Sequence, residues 1–351
     1  MCVDHSTILV NTPRYTEQFS SQQKRFYVTI SDLFKGKNMW FNNALIYQFE
    51  LDESGDLNTS LMEETLKPCP PHARFTYGWL PAFSDEMVHE VAGSSLICLG
   101  KEERILPRGV INKMLAEKIQ IIETQQGRSV KRTEKAQIAE DLEFELLPKS
   151  FCVQKKLYAL LDTVSKRLII NTSSANQAQQ LTSLLRKSVA GISIEPLSLT
   201  ENLAVRFAEW IHSPMTLPAD FQLASDCLLF SFDDEKKRIH CKGYELPAEE
   251  VLTLLAQGMG TAEISLIWKE RIQFTLTHDF IFKKLKSLDY LIDDFNEIKQ
   301  LDEEYQKQDA ALTLLSGELR ELTNDLLAAF IRNSTTNLAE IPTPKEEACS
   351  I

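Results

Sequence analysis

The 351-residue sequence contains no apolar stretch that approaches the roughly 18 consecutive residues needed to cross a bilayer. It also lacks a basic N-terminal region followed by an apolar run and a small-residue cleavage site, which is the pattern of a secretory signal. Its seven cysteines are scattered and include no CxxC pair. This pattern fits reduced thiols. Together with the missing apolar span and secretory signal, it leads us to expect a cytoplasmic protein without membrane contact.

Common catalytic motifs are missing as well. The chain has no GxGxxG, P-loop, HExxH or GxSxG segment, which disfavours nucleotide-binding, zinc-protease and common hydrolase functions. The adjacent pair of His240 and Cys241 has no further ligands at zinc spacing. We therefore expect a protein that is not an enzyme and that uses no cofactor and no metal.

One weak catalytic pattern is present. Glu235 and Lys237 form a Glu-x-Lys pair, with Asp220 and Asp226 upstream. Metal-dependent nucleases use carboxylates to bind Mg²⁺ and a lysine to position the attacking water. Glu-x-Lys is common by chance, and this pair lies in a charged run, residues 233–238, that is typical of a hairpin turn. A nuclease is therefore kept as an alternative.

What the sequence does contain is charge in separate blocks. The formal net charge is −12. Residues 101–135 carry nine Lys or Arg and five Asp or Glu, whereas residues 149–187 carry seven Lys or Arg and one acidic residue. Residues 289–351 are acidic, with five basic and fourteen acidic side chains. The basic middle is suited to phosphate contacts, but such runs are also typical of a solvated surface without a partner.

The hydrophobic pattern predicts an α+β protein. Ser174 is expected to cap one of the helices. Strand patterns occur at 44–49, 75–81, 95–99, 157–162, 167–171, 192–197, 227–232, 263–268 and 271–276. Helix patterns occur at 59–67, after Ser174, and at 203–211, 248–257 and 301–331.

Residues 101–148 have the clearest local pattern. Pro107 opens a helix that Gly127 ends, and Thr133 caps a second helix that Pro148 ends. Each helix has only a narrow apolar stripe. We therefore expect a helical hairpin that projects from the body and has a basic turn at its tip.

These patterns divide the chain into six segments. They are an N-terminal extension expected to be poorly ordered (1–38), a first α+β part (39–100), the helical hairpin (101–148), a second α+β part (149–300), a C-terminal helix (301–333) and a frayed tail (334–351).

Aromatic side chains next to basic ones are candidates for base stacking. Phe151 follows Lys149 and precedes Lys155 and Lys156, although such a ring more often packs in a core or an interface. Four tryptophans in apolar contexts are expected in the core: Trp40, Trp79, Trp210 and Trp268.

Seven short segments, in order along the chain, resemble the RdgC family of recombination-associated proteins. They are MWF at 39–41, GWLP at 78–81, KEERILP at 101–107, KRTEK at 131–135, LLPKSF at 146–151, LLRKS at 184–188 and RIQF at 271–274. The resemblance extends from about residue 39 to about residue 330.

The resemblance implies a bacterial, nucleoid-associated protein that binds DNA without sequence preference and restrains RecA-driven strand exchange. It implies an elongated, multi-lobed subunit with antiparallel or mixed sheets. Two subunits would meet at both ends and close a ring homodimer, wide enough for duplex DNA and lined by basic residues. Single-stranded DNA stays open as a second ligand.

By position, the resemblance also assigns residues. Phe151 would lie at a dimer contact that acts as a gate. Two segments depart from the family: 127–129 is less basic than is typical, and residues 1–38 have no counterpart. A third segment, 221–246, matches poorly, and this weakens the assignment of Lys242. The candidates for DNA contact are Arg128, Lys131, Arg132, Lys135, Lys149, Arg186, Lys187 and Lys242.

A third class of function is open from the charge pattern alone. The acidic C-terminal helix would suit a module that contacts only proteins. Such a module would have no affinity for DNA at low salt.

Overall fold

A computed structural model describes residues 41–51, 56–234 and 236–336, with side chains up to residue 330. This part of the chain is a mixed α+β structure with two antiparallel sheets and eight α-helices, which confirms the predicted class. The predicted extension 1–38 and residues 337–351 of the predicted tail lie outside the described residues, as does Trp40. No described helix combines the length and apolar composition that a membrane crossing requires.

The first sheet contains seven strands. They are β1 (Leu45–Leu51), β2 (Phe75–Leu80), β3 (Val88–Val91), β4 (Ser94–Ile105), β5 (Phe151–Asp162), β6 (Arg167–Ile170) and β7 (Ile192–Pro196). Their order is β2-β4-β5-β6-β1-β7, and β3 pairs with the first residues of β4. The sheet thus combines strands from both predicted α+β parts, 39–100 and 149–300.

The second sheet contains five strands, β8 (Phe221–Ser231), β9 (Arg238–Lys242), β10 (Met259–Trp268), β11 (Ile272–Thr277) and β12 (Phe282–Ser287). Their order is β12-β11-β10-β8-β9, so β9 lies at one edge. At the other edge, the backbones of Ala44 and Phe282 exchange two hydrogen bonds of 2.9 Å. The residues just before β1 therefore join the two sheets.

Eight helices complete the structure. They are α1 (Leu57–Glu63), α2 (Arg108–Gln126), α3 (Arg132–Leu146), α4 (Ala175–Ser188), α5 (Leu203–His212), α6 (Glu249–Ala256), α7 (Asp289–Ile298) and α8 (Glu304–Thr336). Two 3₁₀ turns follow α3 and α5, at Leu147–Lys149 and Pro214–Thr216.

The core forms two layers because the first sheet is apolar on both faces near its centre. Helices α1 and α4 cover one face, where Leu61 and Leu181 pack on residues such as Ile97. The opposite face packs with the second sheet and with α8, whose buried stripe includes Leu315 and Leu322. Three tryptophans that the sequence places in the core are buried there, namely Trp79, Trp210 and Trp268.

A buried ion pair connects α8 to the first sheet. Arg320 of α8 donates from Nε and Nη2 to the two carboxylate oxygens of Asp162, at 2.8 and 2.7 Å. Asp162, at the end of β5, is fully buried and also accepts from the Ser165 hydroxyl. Burial raises the pKa of Asp162, but the hydrogen bonds from Arg320 and Ser165 outweigh it and bring the pKa below its usual value. The carboxylate therefore stays charged inside the fold.

Local capping signals had mixed outcomes. Gly127 ends α2 in a left-handed conformation, with φ of 61°, and the Ser174 hydroxyl accepts from the Gln177 N–H at the start of α4. Both agree with the predictions. Thr133, predicted to cap α3, lies inside the first turn of that helix, and Lys131 occupies the N-cap without a side-chain cap. The Thr133 prediction was wrong because the turn between the helices is held by Glu123 instead.

Candidate nucleic-acid interface

The turn between α2 and α3 is a well-packed structure. Val130 is 5% exposed, and its backbone N–H donates to Glu123 Oε1 at 2.9 Å. Together with the left-handed Gly127, this contact fixes where the chain reverses. Side chains at the tip are therefore presented from a defined backbone.

Four of the candidate DNA-binding residues lie at this tip. Lys131, Arg132 and Lys135 are exposed and form no ion pair within the part of the chain that the structure describes. Arg128 differs, because its Nη1 and Nη2 donate to the two oxygens of Glu134 at 2.8 and 2.9 Å. These hydrogen bonds lower the pKa of Glu134, so the pair stays ionised. Free positive charge at the tip thus comes from the other three residues.

Arg104 fixes the base of the two helices to β4. Its guanidinium donates to the backbone oxygens of Cys69, Leu147 and Ser150 at 3.1, 3.2 and 3.3 Å. The guanidinium thereby joins the end of α3 to the segment that precedes β2. Lys149, a candidate residue at this base, is exposed and lies 3.2 Å from Glu145 one turn earlier.

The paired strands β4 and β5 carry a second set of cations. Their pairing covers twelve residues of each strand, and the half nearest the helices, 100–105 with 151–156, extends past the core. On one face, Lys101 and Lys155 lie 3.2 and 2.9 Å from the same carboxylate, Glu103. Hydrogen bonds from Lys155 and then Lys101 lower the pKa of Glu103. One acid between two lysines leaves this face net positive.

The same face ends in an exposed apolar patch. Ile105 pairs with Phe151, and Glu103 pairs with both Phe75 and Val153, so all these side chains point to one side of the sheet. Phe151 is 86% exposed, the highest value among the described phenylalanines. We call Phe75, Ile105, Phe151 and Val153 the apolar patch. The ring is neither in the core nor stacked on a described aromatic neighbour.

Arg186 and Lys187 belong to the last turn of α4. Arg186 donates from Nη2 to the carbonyl oxygen of Ile194 at 2.5 Å. Lys187 Nζ lies 2.7 Å from Glu64, just after α1, and this hydrogen bond lowers the pKa of Glu64. Both residues therefore help to fix α4 on the first sheet, in addition to carrying charge.

Lys242 lies on β9, at the edge of the second sheet and opposite Asp226. The sequence analysis passed over two further lysines, Lys283 and Lys286 of β12. The buried Phe282 and Leu285 beside them are three positions apart, because the pairing of β12 with β11 shifts register there. No regular alternation in the sequence therefore marks these lysines. Lys283 lies 2.8 Å from Glu263, whereas Lys286 is exposed.

The residues of the nuclease alternative are only partly described. Glu235 lies outside the described residues, and Lys237 is in the turn between β8 and β9. Among the residues that the structure describes, no three His, Cys, Asp or Glu side chains are grouped to hold a metal ion.

The candidate cations thus fall on separate elements: the tip of α2 and α3, the extended half of β4 and β5, the end of α4, and the edge of the second sheet. No described hydrogen bond joins these groups. The fold and this distribution define an acidic α+β protein of two antiparallel sheets that presents exposed cations on a helical insertion, on the strands that carry it and on both sheets' outer elements.

Comparison with known proteins agrees with that description. The family model described as "Putative exonuclease, RdgC" matches residues 39–333. Two relatives named "Recombination-associated protein RdgC", from Pseudoalteromonas translucida and Yersinia pestis, are each 32% identical to the chain. Their alignments cover 82% and 83% of this chain and 96% and 98% of the relatives. The chain belongs to the RdgC family, as the sequence segments indicated.

Proposed function

We propose that this protein binds duplex DNA without sequence preference, as a ring homodimer that encircles it, and restrains RecA-driven strand exchange. The observation that carries the proposal is the exposed, unpaired set Lys131, Arg132 and Lys135 on a protein of net charge −12. Cations held on a defined turn contact phosphates and carry no base code. In the proposal, α2 and α3 project from the body. The turn between them carries these three residues and Arg128, which line or guard the channel.

The remaining candidates extend the channel wall. In the proposal, Lys149 continues the basic surface from the hairpin, and Arg186 and Lys187 add to it from α4. Lys242 contributes from the second sheet. The ring closes by two contacts between subunits, which satisfies two-fold symmetry. A protein that encircles DNA needs no base contacts, because topology holds it on the duplex.

Retention by encirclement can be separated from retention by phosphate contacts if closed circular duplex is compared with linear duplex. Binding at about 50 mM salt is expected for both forms, and a wash at about 200 mM salt removes complexes held by phosphate contacts alone. A closed ring should survive that wash on a covalently closed circle and be released when a restriction enzyme linearises the circle. Equal loss from both forms in the wash would contradict encirclement. No binding at low salt would favour the protein-only module.

The family description names an exonuclease, and the same samples address that activity. With Mg²⁺ added, an exonuclease shortens the linear duplex and leaves the closed circle intact. We propose a non-enzymatic role, so both DNA forms should be recovered at full length. Progressive shortening of the linear form alone would overturn this part of the proposal.

The apolar patch is the proposed dimer contact that acts as the gate. Replacing Phe151 by alanine should weaken the dimer by about 2 kcal/mol or more, because a buried interface ring is a typical binding hot spot. Since the ring is 86% exposed in the single chain, folding stability should hardly change. Sedimentation velocity over a dilution series measures the effect.

The control for Phe151→Ala is Phe232→Ala, since Phe232 is 54% exposed on the second sheet, outside the patch. Only the Phe151 variant should dissociate at higher concentration than the wild type. The same variant should lose the salt-resistant fraction on circular DNA. An unchanged dimer would exclude Phe151 from the contact.

A further inference from the structure

An open groove runs between α4 and strand β2, away from the tip of the helices. Its volume is about 520 Å³, within the range of about 300–1,000 Å³ usual for small-ligand pockets. Leu184 gives it one apolar wall. The polar lining residues are Tyr77, Asn176, Gln179, Gln180, Ser183 and Lys187.

The lining is rich in carboxamides and has no carboxylate. Helix α4 as a whole contains no Asp or Glu. Its apolar side, with Leu181 and Leu185, is buried against the first sheet, which turns Asn176 and Gln180 toward the groove. Gln180 Nε2 donates to Asn176 Oδ1 at 3.3 Å, and the pair still presents the amide N–H groups of Asn176 and the carbonyl oxygen of Gln180. A ligand with a planar donor and acceptor edge therefore matches this wall.

The floor of the groove adds aromatic surface and positive charge. The rings of Tyr77 and Phe75 have centroids 5.2 Å apart. Lys101 Nζ lies 5.8 Å from the centroid of the Tyr77 ring and 4.9 Å from that of Phe75. Lys187 supplies a second ammonium group at the end of α4, where it lies 2.7 Å from Glu64. Two ammonium groups near an aromatic surface suit an anionic ligand that carries a planar ring, which would compete with their contacts to Glu103 and Glu64.

The Tyr77 hydroxyl is a further feature of the groove. It is shielded from solvent, yet it has no hydrogen-bond partner among the described residues. Buried hydroxyls are nearly always paired, so an unpaired one calls for an explanation. Because the oxygen is closed to solvent, a ligand in the groove reaches it only when the lining side chains move aside.

We infer that this groove binds a nucleoside phosphate. The carboxamides of Asn176 and Gln180 hydrogen-bond the edge of the base, as amide side chains do with adenine. Tyr77 gives the base an aromatic contact, and Lys187 and Lys101 bind the phosphate. Lys187 is shared with the proposed duplex surface, whereas Tyr77, Asn176 and Gln180 belong to the groove alone, and the site does not require a ring.

This ligand chemistry has two sources, a free nucleotide and an unpaired nucleotide within a single strand. Equilibrium dialysis with radiolabelled deoxyadenosine monophosphate and adenosine monophosphate tests the first. Fluorescence anisotropy with labelled deoxyadenylate and adenylate oligomers of about ten nucleotides tests the second. Binding of any of these probes in the groove supports the inference, and the pattern identifies the source and the sugar.

The deciding variant is Gln180→Glu, which replaces a hydrogen-bonding wall by a negative charge. Affinity for the bound probe should fall about tenfold or more, since a carboxylate repels the phosphate. Ala175→Glu is the matched control, because it adds the same charge at an exposed position of the same helix outside the lining. It should leave probe binding unchanged, and circular dichroism verifies that both variants fold. Asn176→Asp serves as a second groove variant.

Binding of linear duplex, measured in parallel, separates this inference from the proposed function. Loss of probe binding with unchanged duplex affinity in Gln180→Glu is the expected result, and it holds whether or not the ring proposal survives. Failure of all four probes to bind the wild type would overturn the inference. So would equal probe affinities for Gln180→Glu and Ala175→Glu, or an equal loss of duplex and probe binding in Gln180→Glu.

Discussion

Changing Arg128, Lys131 and Arg132 together to alanine should lower the affinity for duplex DNA about 100-fold at low salt. Lys131 and Arg132 account for most of the loss, because they are exposed and make no ion pair in the described part of the chain. Arg128 contributes less, since its guanidinium already has Glu134 as a partner. A 100-fold loss is about 2.7 kcal/mol, which corresponds to two charge-assisted hydrogen bonds near the lower end of their usual range of about 1.5–3 kcal/mol each.

The salt dependence provides a second readout of the same triple variant. Each phosphate contact that is removed should reduce the slope of log affinity against log salt by about one. The loss should also be equal for unrelated duplex sequences, because phosphate contacts do not read bases. Electrophoretic mobility shifts at several salt concentrations measure both effects.

The control variant replaces three lysines of the acidic segment 289–351, Lys299, Lys307 and Lys345, by alanine. It removes the same charge, so a loss caused only by net charge would be equal in both variants. We expect the control to bind nearly as well as the wild type. If the triple variant of the tip bound undiminished, the tip would have no part in the DNA contact.

The helical insertion was predictable because its signals are local. Pro107 and Gly127 mark the ends of α2 by their own backbone preferences, and Gly127 adopts the left-handed conformation that its position requires. The narrow apolar stripes agree with the burial of one residue in each helix, Ile111 in α2 and Leu142 in α3. Sequence patterns of this kind do not depend on distant parts of the chain.

The extended half of β4 and β5 could not be predicted in this way. The apolar pattern indicated strands only at 95–99 and 157–162, whereas the strands are Ser94–Ile105 and Phe151–Asp162. Residues 101–104 are charged and half-buried, and residues 152–156 are largely polar and exposed, so the sequence shows no apolar alternation there. Pairing across the two strands decides their structure, and that pairing joins residues about 50 positions apart in the chain.

The candidate site was predictable as a set of charges but not as a set of contacts. Sequence order places Lys131, Arg132 and Lys135 on one turn. The ion pairs that Arg128, Lys149 and Lys187 form with glutamates were not part of the prediction. The pair of Lys187 could not have been, because its partner Glu64 lies on a distant part of the chain. The groove could not be predicted from the sequence either. Tyr77 lies on β2 and Gln180 on α4, and these elements come together only in the folded protein.

The buried pair of Arg320 and Asp162 should have the largest effect on stability. Arg320→Ala leaves a fully buried carboxylate without its partner, which typically costs about 3–5 kcal/mol. A domain has only about 5–15 kcal/mol of folding free energy, so the variant should unfold at much lower urea concentration. Lys307→Ala, on the same helix, removes a pair with Glu304 at 3.9 Å and should cost less than about 1 kcal/mol.

The pH dependence identifies Asp162 as the cause of that loss. In the wild type the pKa of Asp162 is lowered, so its contribution is complete above the usual carboxyl pKa and disappears as the pH falls through the lowered value. In Arg320→Ala, burial acts without the arginine and raises the pKa of Asp162. The folded variant then takes up a proton that the unfolded chain does not. Its loss of unfolding free energy relative to the wild type therefore becomes smaller as the pH falls.

Urea denaturation of both proteins at about pH 7 and about pH 5 measures this difference. The difference in the free energy of unfolding between wild type and Arg320→Ala should be smaller at the lower pH. The double variant Asp162→Asn with Arg320→Met, which removes both charges of the pair, should recover part of the stability at pH near 7 and show no such narrowing. An equal gap at both pH values would mean that lost packing of the Arg320 side chain, not the stranded carboxylate, destabilises the variant.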